Sequence, residues 1–420
     1  MAKGITEHLS TLDSAARNFG TPCYVYFADD IRQRAKDVHA AFPSQFHISY
    51  AVKANPNPAL LGILLKENLE LDVSSIGEFR RGIEAGFDPA NISFTGPAKK
   101  EADIREAVEK GIGYIVCESS EQLRIVERCA KAFGCKQDVL IRINPVEVPK
   151  GFGLQMGGRP SQFGIDEEQF EVFLSSLRNM HWVRVQGLHI FSGGNSLNTD
   201  AVIENFSSLT GVFRQLCESL DISPRRLVYG SGFGIPYFEG DTQLDIAAVS
   251  KSINAMASEL KGSPRFGQAQ LVLEMGRYLV GSQGYMLTSV VDKKNSRGTD
   301  ICLLDAGFNN HLNAAGMMGA VMRRDWPFWN ISQSHPAVDR EYQLVGPLCA
   351  SFDVLANKAK LPETSIGDIL AVGSSGAYGL TASPTRFISH PEPLEILVEG
   401  RAGSERLIDI SVGPTAAPLI

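Results

Sequence analysis

Short apolar segments rich in β-branched residues alternate with longer helical patterns along the first two thirds of the chain. Helical candidates such as NPALLGILLKEN and KKEADIREAVEKG separate the apolar segments. Eight strands alternating with helices over roughly 240 residues predict a closed (β/α)8 barrel with a parallel sheet. The predicted strands are FHISYAV, LELDV, NISFT, IGYIVC, DVLIRI, VRVQGLHI, RLVY and QLVLEM.

The pattern changes near residue 278, where turn residues and short alternating strands begin to dominate. The segments YLVGSQGYMLTSVVDKK, ICLLDAG, DILAVGS and LEILVEG predict a mainly β domain. An earlier strand, PCYVYF at residues 22–27, precedes the barrel, and we expect it to join this β domain. We therefore predict a barrel domain over residues 30–277 and a β domain made of residues 1–29 and 278–420.

Composition favours a soluble, cytoplasmic protein, with 44% hydrophobic and 21% charged residues. The chain has 40 basic and 47 acidic residues, so no basic excess suggests binding to nucleic acid or to an anionic membrane. It has neither an apolar run of about 18 residues nor the apolar core of a secretory signal near Met1. The seven cysteines form no CxxC pair, which predicts reduced thiols, and we predict no metal site.

Polar residues and glycines stand at the ends of the predicted barrel strands. Functional side chains of such barrels collect at the C-terminal ends of the strands, so we expect these residues at one rim. Packing alone does not explain so many polar residues at one rim. The strand-end residues are Lys53, Asp72, Thr95, Gly96, Arg142, His189, Gly230 to Gly232 and Glu274 to Arg277.

These strand ends predict a particular cofactor. Glycines follow the seventh and eighth strands, in YGSGFGIPY and EMGRYLV, where barrels commonly bind a phosphate through backbone N–H groups. One glycine stretch alone is more often a tight turn, but two on adjacent strands favour a phosphate. Pyridoxal 5'-phosphate needs a lysine for its Schiff base and an acidic partner for its pyridine nitrogen. Lys53 and Glu274 match these needs, and His189 could stack on the ring.

Nine motifs in order resemble those of the fold-type III pyridoxal-phosphate-dependent decarboxylases, which include diaminopimelate, ornithine and arginine decarboxylases. The resemblance covers nearly the whole chain. It implies an alanine-racemase-like barrel and β domain, and an obligate homodimer in which the β domain contributes to active sites shared between subunits. The motifs are YAVKAN, DVSSIGE, SQFGID, GLHIFSG, GSGFGIPY, EMGRYLVG, DAGFNN, GPLCASFD and GAYG.

The resemblance also implies residue roles. Lys53, with Glu78 nearby, would form the internal aldimine, and His189 and Glu274 would act on the cofactor ring. Cys349 of a second subunit would return a proton after loss of carbon dioxide. The cofactor-binding residues would be Lys53, Asp72, Arg142, His189, Ser192, Gly230, Ser231, Gly232, Glu274, Gly276, Arg277 and Tyr378. The substrate-binding residues would be Arg277, Arg323, Asp353 and Tyr378.

The chain departs from diaminopimelate decarboxylases next to Cys349. Ala350 stands where those enzymes usually have a glutamate that holds the distal end of the substrate, and Phe352 replaces a usual glycine. Other segments resemble a branch of decarboxylases from exosortase-associated and antibiotic or siderophore clusters, one of which acts on a glutamyl group tethered to a carrier protein. These departures favour a substrate other than diaminopimelate.

The segment at residues 313–329 lies where the family has its substrate-specificity element. Arg323 and Arg324 could bind a distal carboxylate or the phosphopantetheine of a carrier protein. A solvated helix face is the more ordinary interpretation of two such arginines. With Trp326 and Trp329, the segment could equally be a dimer surface.

We therefore predict decarboxylation of a small amino acid or of a carrier-protein-bound aminoacyl group. Three alternatives stay open: a diaminopimelate decarboxylase of lysine biosynthesis, an amino-acid racemase and a non-catalytic protein that carries pyridoxal phosphate. The segment KANPNPAL lacks the extended glycine-rich stretch typical of the racemases. The residues after position 278 argue against the non-catalytic proteins, which are single barrels.

Overall fold

Contacts in the computed structural model divide the chain into two compact units. We call Arg34–Gly234 with Gln243–Tyr278 the barrel unit, and Met1–Gln33 with Ile235–Thr242 and Leu279–Ile420 the β unit. Residues 235–242 fall inside the predicted barrel segment but belong to the β unit. The structure describes residues 3–42, 46–148, 151, 154–155, 157–175, 177, 180–318, 324–333, 337, 340–401 and 403–413.

Strands and helices alternate through the barrel unit, and strands dominate the β unit. The strands are β1 (Cys23–Phe27), β2 (Phe46–Ala51), β3 (Glu70–Val73), β4 (Ile92–Phe94), β5 (Tyr114–Cys117), β6 (Gln137–Asn144), β7 (Leu154–Gln155), β8 (Ile165–Asp166), β9 (Val183–Ile190), β10 (Gly193–Gly194), β11 (Arg226–Gly230), β12 (Gln270–Met275), β13 (Gly284–Ser296), β14 (Thr299–Leu304), β15 (Phe328–Asn330), β16 (Arg340–Val345), β17 (Val354–Leu361), β18 (Ile369–Val372), β19 (Leu394–Glu399) and β20 (Arg406–Asp409). The α-helices are α1 (Lys3–Phe19), α2 (Ala28–Ala41), α3 (Pro58–Lys66), α4 (Ile76–Glu84), α5 (Glu101–Glu109), α6 (Ser120–Phe133), α7 (Phe170–Ser175), α8 (Thr199–Ser219), α9 (Ile246–Lys261) and α10 (Arg277–Val280).

Eight parallel strands close into a barrel in the order β2, β3, β4, β5, β6, β9, β11 and β12. Pairing between β12 and β2 completes the ring, since Leu271 lies opposite Phe46 in register. Each of the eight apolar segments of the sequence forms one of these strands. The predicted (β/α)8 barrel is therefore confirmed.

Capping side chains determine where the covering helices begin. The Asn57 side chain accepts a hydrogen bond from the N–H of Ala59, and Pro58 occupies the first turn of α3, where a missing N–H costs nothing. At the other end of a helix, Gly134 has φ 65° and ends α6 in the left-handed conformation that glycine adopts most readily. The side chains that cap α4, α6, α8 and α9 in the same way are Ser75, Ser119, Asn198 and Asp245.

The N-terminal ends of the barrel strands meet in a buried ionic cluster. Arg226, which begins β11, forms an ion pair with Glu70, which begins β3. The Arg226 guanidinium also lies 4.6 Å from the ring centroid of Tyr114, and it donates to Gln270 at 3.2 Å. His47 Nδ1 lies 2.9 Å from a Glu70 oxygen. These contacts close this end of the barrel, which we call the floor.

The β unit contains a sheet with the strand order β17, β16, β14, β13, β1, β19 and β20. Strand β1 pairs antiparallel with β13 and parallel with β19, so the strand from residues 22–27 lies in the middle of this sheet. Its side chains Cys23 and Val25 belong to the unit's hydrophobic core. One local prediction was wrong: residues 278–280 lie in helix α10, and the strand begins only at Gly284. In the described part of the chain, every helix is too short or too polar to cross a membrane.

Candidate active site

The register of the barrel sheet brings predicted site residues to one level at the C-terminal ends of the strands. Arg142 of β6 pairs with His189 of β9, and Glu274 of β12 pairs with Gly230 of β11. Arg142, His189 and Glu274 are each at most 4% exposed as whole residues. A buried arginine, histidine and glutamate therefore lie at this end of the barrel, which we call the rim.

Lys53 follows β2 in a short 3-10 helix and lies at the rim. Its Nζ is 5.3 Å from the centroid of the Phe191 ring. Burial has the largest effect on the pKa values of Asp72, Glu78 and Glu274, and the charge of Lys53 lowers all three. The amine therefore faces three carboxyl groups.

Glu274 and His189 form a buried pair, with His189 Nε2 at 2.8 Å from Glu274 Oε2. Burial raises the pKa of Glu274, but the hydrogen bond and charge of His189, with smaller effects of Lys53 and Arg142, lower it to about 2. Glu274 is therefore an anion at neutral pH. The other ring nitrogen, His189 Nδ1, is buried and has no hydrogen-bond partner among the residues that the structure describes.

Asp72 has the opposite character. Burial and the nearby charge of Glu274 raise the pKa of Asp72 well above its usual range. Its Oδ1 accepts hydrogen bonds from the hydroxyls of Thr95 and Ser93. Its Oδ2 is buried and has no hydrogen-bond partner in the described part of the chain. A carboxyl group that favours its protonated form therefore lies in the same rim as the ionised Glu274.

The predicted phosphate-binding residues lie at the ends of β9, β11 and β12. Ser192 Oγ donates to Asn205 Oδ1 at 2.6 Å, whereas Asn205 Nδ2 has no hydrogen-bond partner within the described ranges. Gly232 has φ 68°, a conformation that favours glycine. The N–H of Ser231 donates to the main-chain oxygen of Glu274 at 3.0 Å, which fixes the turn after β11 against β12.

Close packing and chain direction explain the remaining glycines and Arg277. A Cβ at Gly230 would lie 2.3 Å from the ring of Phe191, so only glycine fits there. Gly276 lies between the end of β12 and α10, and Arg277 is the first residue of that helix. These residues lie at the rim, as the sequence predicted, and their roles towards a phosphate stay predictions.

We did not predict Glu118, although it follows β5 directly and is 6% exposed. Its Oε1 accepts from the N–H of Gly96 at 2.9 Å, and its Oε2 accepts from the N–H of Gly164 at 3.0 Å. Arg142 Nη1 lies 3.4 Å from both oxygens. The strand-end rule would have found Glu118, because the fourth predicted strand, IGYIVC, ends one residue before it.

Three predicted residues lie in the β unit and are described by their own contacts. Cys349 is exposed, unlike most other cysteines of the chain. Asp353 is buried and accepts from the N–H groups of Phe308 at 2.8 Å and Leu348 at 2.9 Å. Burial raises the pKa of Asp353 above its usual value. Tyr378 is half-buried and has φ 54°. Asp353 thus fixes the loop that carries Cys349.

Described parts of the segment at residues 313–329 form turns and strand β15, so the solvated helix considered above does not occur there. Arg323 lies outside the described residues. Arg324 Nη1 is 3.3 Å from Asp241 Oδ1, and its guanidinium is 4.1 Å from the ring centroid of Phe238. Trp326 is 4% exposed, so it is a packing residue and not part of a surface.

The rim residues fit pyridoxal phosphate. Lys53 supplies an amine, and Glu274 supplies a buried anion for a protonated ring nitrogen. Asp72 Oδ2, His189 Nδ1 and Asn205 Nδ2 are buried polar atoms for which the described residues offer no hydrogen-bond partner. Buried polar atoms are nearly always hydrogen-bonded, so this group of atoms indicates a polar ligand at the rim.

Comparisons with known proteins agree with this donor set. Residues 28–281 match the family model of the pyridoxal-dependent decarboxylase, pyridoxal binding domain. An L-glutamyl-[BtrI acyl-carrier protein] decarboxylase of Niallia circulans is 34% identical over 403 residues, which cover 94% of this chain and 92% of the relative. A diaminopimelate decarboxylase of Pseudomonas aeruginosa is 31% identical over 396 residues, with 94% and 91% covered. The crystal structure of a Helicobacter pylori diaminopimelate decarboxylase complexed with L-lysine matches with a TM-score of 0.82 and 26% identity, covering 94% of this chain and 95% of that one.

Proposed function

Because the chain belongs to the family of pyridoxal-dependent decarboxylases, we propose that it removes the α-carboxyl group of an aminoacyl group tethered to a carrier protein. Pyridoxal phosphate is its cofactor. A substrate of this kind must keep its α-amino and α-carboxyl groups free, so the tether must occupy the distal end of the amino acid. Among the relatives, the Niallia circulans protein is named for such a substrate.

Ala350 is the observation that carries this choice of substrate. It follows Cys349, where a glutamate that grips a charged distal end would be expected for diaminopimelate. A tethered acyl group has no distal charge to hold, so a methyl side chain suits it better than a carboxylate. The neighbouring Phe352 is 54% exposed and offers an apolar surface in the same loop.

When bound, pyridoxal phosphate supplies an electron sink next to the α-carbon. Lys53 would hold it covalently and would later release the product amine. Glu274, kept ionised by its hydrogen bond with His189, would hold a proton on the ring nitrogen. Ser192 and the turn at Gly232 would bind the phosphate.

Cys349 would deliver a proton to the α-carbon of a substrate held by a second subunit. Its exposure in its own chain leaves the thiol accessible to such a subunit. Arg277 and Tyr378 would act at the substrate carboxylate and the phosphate. We therefore propose a homodimer with shared active sites, in which each site needs Lys53 of one chain and Cys349 of the other.

Mixing two inactive variants tests the shared site. We expect Lys53→Ala and Cys349→Ala to be inactive alone and to recover about a quarter of wild-type activity as a 1:1 mixture, since half of the dimers would have one intact site. A mixture as inactive as its components, with dimers that exchange subunits, would refute the shared site.

Carbon dioxide release across a substrate panel tests the substrate. The panel contains a glutamyl group linked to a carrier protein, free glutamate, diaminopimelate, ornithine and lysine. We expect kcat/KM for the tethered group to exceed that for every free amino acid by roughly 100-fold or more, because a site matched to one distal group discriminates strongly against others. Faster release from diaminopimelate would overturn the proposal.

A second candidate is decarboxylation of diaminopimelate, which the Pseudomonas aeruginosa and Helicobacter pylori relatives favour by their names. The variant Ala350→Glu separates the two candidates. If the proposal is right, this change raises kcat/KM for diaminopimelate and lowers it for the tethered group. Ala350→Ser, which adds no charge, is the matched control and should leave the preference unchanged.

A further inference from the structure

A glutamate forms an ion pair with a buried arginine at each end of the barrel. At the floor, Glu70 pairs with Arg226, and the Glu70 side chain is 17% exposed. At the rim, Glu118 pairs with Arg142, and their side chains are 1% and 5% exposed. Only the pair at the rim adjoins the residues assigned to the cofactor, so the two pairs need not have the same purpose.

One carboxylate at the rim joins three separate segments of the chain. Glu118 accepts the N–H of Gly96, which follows β4, and the N–H of Gly164, which precedes β8. It also contacts the guanidinium of Arg142 on β6. Gly164 leaves no space for a side chain, since a Cβ there would lie 2.9 Å from the amide nitrogen of Asn144. Each of these positions depends on where the carboxylate lies.

Glu118 is itself fixed by neighbours that hold the same loop. Its N–H donates to Gln122 Oε1 at 2.9 Å, and Gln122 Nε2 donates to the carbonyl of Pro97 at 2.8 Å. Lys99 Nζ donates to the carbonyls of Gly96 at 2.5 Å and Val116 at 2.8 Å. The carboxylate therefore sits in a rigid frame, and so do the groups that it binds.

Arg142 connects Glu118 to the residues at the rim that are assigned to the cofactor. Its guanidinium lies 4.5 Å from the ring centroid of Phe163, so its plane is held from a second side. Burial raises the pKa of Glu274, whereas His189 and Lys53 lower it, and the charge of Arg142 lowers it further. Where the guanidinium lies thus affects the carboxylate assigned to the ring nitrogen.

We propose that Glu118 is a positioning residue for this decarboxylase. It holds the guanidinium of Arg142 and the turn after β4 where the cofactor needs them, and it acts through Arg142. This inference rests on the proposed placement of the cofactor at the rim. The alternative is that Glu118 has a purely structural role and only stabilises the fold, as Glu70 does at the floor.

A comparison of Glu118→Gln with Glu70→Gln tests the proposal on the holoenzyme. The readouts are the dissociation constant of pyridoxal phosphate, the pH dependence of the visible absorption band and the midpoint of thermal unfolding. We expect Glu118→Gln to weaken cofactor binding by roughly 10- to 100-fold, the range for lost hydrogen bonds to charged groups, and to shift the pH profile of the band. Glu70→Gln should lower the unfolding midpoint and change cofactor affinity less than about twofold.

A double-mutant cycle shows whether Glu118 acts through Arg142. We expect Glu118→Gln to weaken cofactor binding less than about twofold further once Arg142→Met is present, because coupled residues do not add. Glu118→Asp keeps the charge with a shorter reach and should recover part of the affinity. It also supplies a second variant if Glu118→Gln fails to fold.

Two results would overturn the positioning role. One is a Glu118→Gln variant that loses thermal stability but keeps its cofactor affinity and pH profile, as expected for Glu70→Gln. The other is an effect of full size in the Arg142→Met background. Cofactor binding is measured without substrate. Failure to decarboxylate a tethered substrate would therefore contradict the proposed function without affecting the test of Glu118.

Discussion

Strand β3 carries one carboxyl group at its first residue, Glu70, and another near its end, at Asp72, and the barrel shifts the pKa values of the two groups in opposite directions. At the floor, burial raises the pKa of Glu70, but the hydrogen bond of His47 and the charge of Arg226 outweigh burial and lower it. At the rim, burial and the charge of Glu274 raise the pKa of Asp72. A single residue, Leu71, thus separates a paired carboxylate with a lowered pKa from a carboxyl group with a raised pKa.

The two ends of the barrel also differ in whether the protein itself supplies partners for their buried polar groups. At the floor, Glu70 has two cationic or polar partners within the barrel. At the rim, Asp72 Oδ2 and His189 Nδ1 are buried without hydrogen-bond partners among the described residues. The floor has one such atom, Arg226 Nε, but its guanidinium is paired through its other nitrogens. Native folds rarely leave several buried side chains unsatisfied at one place, so the rim is the end that a polar ligand would complete.

Replacing the rim lysine should have the largest effect. We expect Lys53→Ala to lower kcat by roughly 10³-fold or more and to abolish the visible absorption of the bound cofactor, because Lys53 is the strand-end amine whose charge lowers the pKa of all three rim carboxyl groups. Lys66→Ala, at an exposed position of α3, is the matched control and should behave like wild type. A normal absorption band in Lys53→Ala would show that Lys53 does not hold the cofactor at the rim.

Removing the rim anion should have the next largest effect. We expect Glu274→Gln to lower kcat by roughly 10²-fold, since a neutral amide holds a proton on the ring nitrogen poorly. The control is Glu259→Gln, whose side chain is 73% exposed in a pair with Arg214 and should contribute little. Steady-state rates at saturating substrate measure both, and equal rates would remove Glu274 from the chemistry.

Breaking the floor should affect stability and spare activity. Glu70→Ala leaves the Arg226 charge, 5% exposed, without its carboxylate, and we expect a loss of about 3 kcal/mol in the free energy of unfolding. Urea denaturation measures this loss. A kcat/KM within about twofold of wild type is expected at a temperature where the variant is folded. A large loss of kcat/KM in the folded variant would mean that the floor also serves catalysis.

The Asp72→Asn variant should have the smallest of these effects, a change in how the free energy of unfolding depends on pH. The folded pKa of Asp72 is raised, so its contribution to stability is complete below the unfolded value of about 3.9 and is lost as pH rises through the folded pKa. The variant cannot ionise there. Both proteins are compared by urea denaturation after removal of the cofactor. The free energy of unfolding of the variant, relative to that of wild type, should therefore be higher at about pH 8 than at about pH 5. The reverse trend would contradict a protonated Asp72.

The barrel was predictable because its strands are buried on both faces and read as continuous apolar runs. The eight segments needed no knowledge of long-range contacts. Helix α10 was not predictable in this way, since Tyr278, Leu279 and Val280 are buried apolar residues that suit a strand equally well. The assignment of residues 235–242 to the β unit likewise depends on contacts that periodicity does not encode.

The site was predictable where its residues end a barrel strand. His189, Asp72 and Glu274 follow that rule, and Glu118 follows it too, although we did not apply it to the fourth predicted strand, which forms β5. Asn205 is different, because it lies within helix α8 and reaches Ser192 only through tertiary packing. No spacing rule in the sequence marks such a residue.

Reductive trapping tests the central claim most directly. Borohydride fixes the bond between pyridoxal phosphate and its lysine, and peptide mass spectrometry then locates the modified residue. We predict that the label lies on Lys53, at the end of β2. Lys99 is the informative competitor, because it is also a buried lysine beside the rim, with its pKa lowered by burial. A label on Lys99, or on any lysine other than Lys53, would contradict the account.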